Sequence, residues 1–262
     1  MNPNDRRIFE RLHRHYEKRS YRYVIREFRN IIKSIDFDSL DFETSNVTIE
    51  KSVNNKNLEK VIYNMYMDTG SKFGRFVNAE LQREIGKKQM PSYALFSDKF
   101  AEFISNYLQK EGAKKVVGLT DTLKDSIASV IDKAQKEGKT QSQMVEFVKK
   151  VVNKPNFYRS RALRIVRTET LFAMNSAKQV SYQDTALVVN KVWVHGGSAE
   201  ARVDHLQMDG VEVPDGEPFI LPDGTRMMYP GDQSADASQV VNCSCTFAIR
   251  PLRDSNGDLI LK

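Results

Sequence analysis

"VVNCSCTFAIRP", residues 240–251, holds the only two cysteines of a 262-residue chain, Cys243 and Cys245, one residue apart. The spacing leaves four readings: a disulfide, part of a metal site, a catalytic thiol, or two small buried residues on the inner face of a strand. In an extended strand the Cα atoms of residues i and i+2 stand about 6.6 Å apart, at the edge of bridging geometry, which weighs against the disulfide. The same spacing puts both side chains on one face, so both sulfurs can meet one metal. His205 is then the third candidate ligand, with Asp204, Asp209, Asp232 or water as the fourth, and zinc is the ion that Cys and His suit. Burial without metal competes, because free cysteine is among the most buried residue types and zinc usually takes its cysteines at C-x2-C spacing. A Cys–His nucleophile needs a base within hydrogen-bond reach of the thiol, and no local signature of a cysteine hydrolase surrounds either residue.

Working outward, seven of the thirteen glycines and five of the eight prolines lie beyond residue 190. That density of breakers excludes further long helices. "KVWVHG", "GVEV", "PFILP", "RMMYP" and "TFAIRP" read as short strands, separated by turns such as Asp215-Gly216 and Asp223-Gly224.

Upstream the pattern is helical. Residues 5–34 read as one long helix with Ile8, Leu12, Tyr16, Tyr23, Phe28, Ile31 and Ile32 inward. "IDFDSLDFETSNVTIEKSVNN" (35–55) reads as a short strand or extended connector. Helices are expected at about 58–85, with Gly70 and Gly74 as points of weakness, at 92–111 ending at Gly112, and at 118–138 ending at Gly138. Thr140 with Gln143 is a capping-box candidate opening a helix that stops before Pro155. The longest helix of this half spans 156–186, with Leu163, Val166, Thr170, Ala173, Met174 and Ala177 on one face. The expected fold class is therefore α+β: a mostly helical N-terminal body (1–155), then a long helix leading into a small loop-rich β C-terminal domain (156–262).

The formal net charge is +6, and residues 1–33 alone hold ten Lys/Arg against four acids, so the first helix carries the whole excess. Arg11, Arg14, Arg19, Arg22, Arg26 and Arg29 are the candidates there for meeting DNA phosphates or an acidic partner. No apolar run approaches the roughly 18 residues needed to span a bilayer, so no membrane is expected in the free state. The N-terminus lacks a secretory h-region, and two cysteines make no disulfide framework, so folding in the cytoplasm is the default expectation.

Taken in order, "RTET" (Arg167, Thr168, Glu169), Asn175, Trp193, "ARVDHLQMDG" (Arg202, His205, Gly210), "YPGD" (Pro230, Gly231) and "NCSC" (Asn242, Cys243, Cys245) resemble the phage Mu protein F-like family of minor head proteins. Two departures stand out. The family commonly has Arg between the cysteines, where this chain has Ser244. The stretch before "RVDH" reads "HGGSAE" where the family often has an acidic residue and a Thr-Arg turn. The resemblance implies a non-enzymatic minor capsid protein, assembled in the host cytoplasm and carried in the virion at the portal vertex or head interior. Portal protein, major capsid protein and packaged DNA are the implied partners, with roles in head assembly and in genome packaging or delivery. Arg167, Glu169, Asn175, Arg202, His205 and Asn242 are expected to form a polar network pinning the β element onto the long helix. The rivals are a Cys/His-dependent enzyme carried in the virion and a non-specific DNA-binding module.

Overall fold

The computed structural model describes residues 3–40, 55–85, 93–154, 156–183, 185–198 and 201–262. Five long or medium helices come first: α1 (Pro3–Ser34), α2 (Asn55–Ile85), α3 (Tyr93–Lys136), α4 (Gln141–Val152) and α5 (Arg159–Gln183). Five short strands follow: β1 (Val189–Val194), β2 (Glu212–Pro214), β3 (Phe219–Ile220), β4 (Arg226–Met227) and β5 (Thr246–Pro251). Two short helices interrupt them, α6 (Val203–Gln207) and α7 (Ala237–Val240). The α+β class and the helical body are as expected, and each of the five strand segments holds a strand.

The chain forms two compact units that interleave along the sequence. One comprises Met1–Ser20, Met65–Ile104 and Arg164–Lys262; the other comprises Tyr21–Asn64 and Ser105–Leu163.

In the second unit, a capping box starts α4: the Thr140 hydroxyl accepts from Gln143 N–H, and the Gln143 side chain accepts from Thr140 N–H. This satisfies two of the orphan donors that every helix start presents. Phe28 meets Tyr158 edge to face at 6.1 Å, and Arg29 donates to the Tyr158 hydroxyl at 3.1 Å. Where a strand or connector is expected at 35–55, residues Phe37–Ser39 form a single 3-10 turn capped by the Asp36 side chain. The rest of that segment, 41–54, lies outside the described residues.

Three helical expectations are corrected. Residues 93–136 form one helix of 44 residues, not two divided at Gly112. Gly112 falls on the buried stripe itself, in step at four-residue spacing with Phe100, Ile104, Val116 and Thr120. Burial on both sides outweighs the roughly 1 kcal/mol that a helical glycine costs. The inward face of α1 is also partly shifted. Tyr16, Phe28, Ile31 and Ile32 are buried as expected, but Ile8, Leu12 and Tyr23 are only half-buried, while Phe9, His13, Ser20 and Val24 are buried. His13 and Ser20 do not read as apolar, yet each finds a partner, Arg167 O at 3.4 Å and Thr69 Oγ1 at 3.5 Å.

Gly70 and Gly74 are not bends, because α2 runs unbroken through both. An added Cβ at Gly74 would stand 1.9 Å from the Phe96 ring, and one at Gly70 would stand 2.0 Å from the Phe100 ring. Both glycines are seats for phenyl rings of α3.

The first unit is organised around α5, whose residues 171–182 are buried on every side. Such a helix would ordinarily be apolar all round. Here its polar residues are matched one by one: Ser176 and Ser181 bond back to Phe172 O and Ala177 O, and the Tyr182 hydroxyl donates to Gln179. The three-stranded antiparallel sheet has the order β2-β1-β5, with Trp193 opposite Phe247 and Val192 opposite Ala248. β3 and β4 form a separate hairpin. Tyr229 bridges Phe172 on α5 and Phe247 on β5, and Trp193 meets Phe219 edge to face at 5.3 Å.

Candidate functional site

The first unit carries two joined constellations, one on α5 and one around the cysteines. Asn175, fully buried, donates through its amide to Pro230 O (2.7 Å) and Cys245 O (3.1 Å) and accepts the Thr246 hydroxyl (2.7 Å). Lys178, one turn on, donates to Thr246 Oγ1 at 2.9 Å and to Phe247 O at 2.7 Å. Its ammonium also lies about 5.1 Å from the ring centres of Phe9 and Phe247. Two turns back from Asn175, the Thr168 hydroxyl accepts Asn242 N–H at 2.9 Å. Arg167 ties Asn242 Oδ1 (2.7 Å) to Glu17 of α1 (3.0 Å). Glu169 is buried and accepts from the Tyr66 hydroxyl and from Gln233. Arg202 donates to Val241 O at 2.6 Å. All six residues expected in the polar network make hydrogen bonds within this unit, the sixth being His205 with Gln239. They fall into separate clusters: Arg167 with Asn242, Asn175 with the Cys245 carbonyl, Glu169 with Tyr66 and Gln233, and Arg202 with Val241.

Cys243 and Cys245 do not sit in a strand. They occupy the turn between α7 and β5, where Asn242 takes a left-handed backbone (φ 61°) that brings the chain back on itself. Asparagine is one of the few non-glycine residues that adopts this conformation readily. Both thiols are free and buried. His205, on α6, is buried too, and its Nδ1 lies 3.5 Å from Cys243 Sγ and 3.6 Å from Cys245 Sγ. The three candidate ligand atoms lie within 4.8 Å of one another.

The candidate aspartate ligands are elsewhere. Asp209 accepts His195 N–H at 2.8 Å, Asp232 accepts from Met228 N–H and Ser234, and Asp204 accepts from Gln239. Among the described residues no carboxylate joins the cluster.

The surroundings set the electronics of the cluster. Cys245 N–H donates to Cys243 Sγ at 3.3 Å. Contact with the Cys243 thiol, then the His205 ring and Gly196 N–H, pull Cys245 down to about 5 against the cost of burial. The same contact, then burial, pushes Cys243 well above the ordinary thiol range. The pair therefore loses a first proton easily and a second with difficulty. Gly196 has to be glycine for this approach, since a Cβ there would stand 2.2 Å from Ser244 O. A cavity of about 230 Å³ adjoins the cluster, lined by both cysteines, His205, His195, Arg202 and Asn242 among others.

Gln239 is the residue that sequence reasoning missed. Its Oε1 meets His205 Nε2 at 3.0 Å while its amide donates to Asp204 (3.0 Å) and Asp223 (2.6 Å). Nothing in "DASQVV" marks it, because its importance comes from α7 folding back over α6. Lys191 was equally silent: fully buried in β1, it donates to Met228 O at 2.8 Å, and burial lowers its pKa.

The six arginines singled out on α1 are all exposed. Four already have partners: Arg14 with Glu10, Arg19 with Asp68, Arg29 with Tyr158, and Arg26 over the Tyr23 ring. No described helix is long and apolar enough to cross a membrane.

No curated protein and no solved structure matches the chain. Residues 125–248 match the family model for phage Mu protein F like protein, a family of phage head proteins, and the resemblance carried by the ordered motifs is thereby shown for the C-terminal region.

Proposed function

We propose that this chain is a non-enzymatic minor structural protein of a tailed-phage head, held at the portal vertex or head interior and contributing to head assembly and to genome packaging or delivery. The observation that carries the reading is the ordered Arg-Thr-Glu, Asn, Arg-x-x-His, Asn-Cys-x-Cys set within the matched region. Its members spend their polar groups on fastening loops to α5: Asn175 on Pro230 O and Cys245 O, Arg202 on Val241 O, Thr168 on Asn242 N–H. Groups committed in this way to backbone partners serve rigidity. Portal protein and major capsid protein are the proposed partners. The test is co-purification of the full chain with its portal protein, alongside its detection in purified particles. Retention by portal, and a few copies per particle, fit the reading; absence from particles overturns it.

A Cys/His enzyme is the second reading, favoured by the cavity beside His205 and the easily lost first thiol proton. It needs a thiol that substrate can reach, and the cysteines are only 2% and 3% exposed. Alkylation in the presence of a chelator separates the two: slow reaction of both thiols fits the structural role, and one fast thiol fits the enzyme. For DNA, the exposed arginines of α1 predict binding that weakens steeply with salt and is lost on deleting residues 1–33.

A further inference from the structure

We infer that His205 Nδ1, Cys243 Sγ and Cys245 Sγ are three ligands of one zinc ion whose fourth position faces the adjoining cavity and is filled by water. Three independent observations meet at this point.

The first is distance. A tetrahedral zinc with Zn–S near 2.3 Å and Zn–N near 2.05 Å requires N···S separations of about 3.6 Å. The two separations in this protein are 3.5 and 3.6 Å.

The second is the tautomer of His205. Gln239 directs its amide at Asp204 and Asp223, which fixes its Oε1 towards His205 Nε2. An acceptor there places the ring proton on Nε2 and leaves the Nδ1 lone pair facing both sulfurs. A hydrogen-bond relay from a ring N–H to carboxylates is how metal-bound imidazoles are oriented. Trp193, edge to face with His205 at 5.3 Å, holds the ring in this pose.

The third is charge. Two thiolates neutralise a divalent ion, so the buried centre carries no net charge and avoids the cost of an unpaired buried ion. Main-chain N–H groups of Cys245 and Gly196 point at the sulfurs, as thiolates require. With no carboxylate in the cluster among the described residues, the cavity side is left for water or a small exogenous ligand.

The test is metal analysis of the full chain, purified without an affinity tag from zinc-supplemented cells. The expected result is about one zinc per chain, lost in Cys243→Ser and in His205→Gln. Because those variants can also unfold, the wild-type chain supplies the deciding measurements. Stripping with chelator should release the metal and make two thiols per chain titratable. Cobalt added to the stripped chain should give the thiolate-to-cobalt charge-transfer band of a tetrahedral site, and azide or imidazole should shift its visible bands. A zinc-free wild-type chain that gives no charge-transfer band with cobalt overturns the site. A cobalt spectrum indifferent to added ligand overturns the open fourth position.

Discussion

Asn175 reaches Cys245: its side-chain amide donates to the cysteine's carbonyl at 3.1 Å from the middle of a fully buried helix. With the bonds to Pro230 O and Thr246, this one side chain satisfies two loop carbonyls and a strand hydroxyl. Asn175→Ala should lower the unfolding free energy by about 2–4 kcal/mol, because each stranded buried partner costs about 1–3 kcal/mol. Urea denaturation measures it, and a loss under about 0.5 kcal/mol would show that the loops hold their places without the anchor.

Asn242 separates backbone from side-chain effects. Its φ of 61° penalises alanine, whereas glycine adopts it freely, and its side chain meets Arg167 in an exposed setting. Asn242→Ala should therefore cost about 1 kcal/mol more than Asn242→Gly, the ordering expected of a left-handed turn and the reverse of helix propensity. Equal costs for the two variants would place the effect in the Arg167 contact.

Gly74→Ala is a substitution that propensity alone favours by about 1 kcal/mol in a helix. The seat for the Phe96 ring makes the outcome opposite, with a net loss of about 1–3 kcal/mol from overpacking. Pairing it with Phe96→Leu should recover part of the loss, since the smaller side chain vacates the space. A double-mutant cycle reads the coupling directly.

His13 predicts a pH dependence. Burial lowers its pKa, with Arg167 and Arg14 acting in the same direction and Glu17 and the bond to Arg167 O opposing. The unfolded chain takes up this proton near pH 6.5 and the folded one does so only at lower pH. The contribution is thus fully present above pH 6.5 and is lost as pH falls from there towards the folded value, with a slope of up to about 1.4 kcal/mol per pH unit. Stability curves from pH 7.5 to 5 should flatten in His13→Gln; identical slopes would assign the dependence to another group.

The sequence displayed the C-terminal elements well because glycine and proline cut them to length. Each of the five strands ends at or shortly before a breaker: Gly196 after β1, Pro214 closing β2, Pro222 after β3, Pro230 after β4 and Pro251 closing β5. It displayed the helices less faithfully, because a glycine has two opposite meanings. Gly138 ends a segment, while Gly112 lies inside α3 on the buried stripe and Gly70 and Gly74 receive rings. The site was half legible. His205, Cys243 and Cys245 could be named from residue type and do converge, but their convergence comes from a turn and not from strand geometry. Gln239 and Lys191 act through contacts that no local pattern announces.

The anchors on α5 and β1, and Arg202 at the start of α6, share a habit with consequences for how this protein can change over generations. Asn175, Lys178, Lys191 and Arg202 all donate to main-chain carbonyls, at Pro230 and Cys245, Phe247, Met228 and Val241 respectively. A carbonyl is present whatever side chain its residue bears. The loops can therefore drift in sequence, and reshape the surface they offer to the rest of the particle, while four donors keep their course fixed.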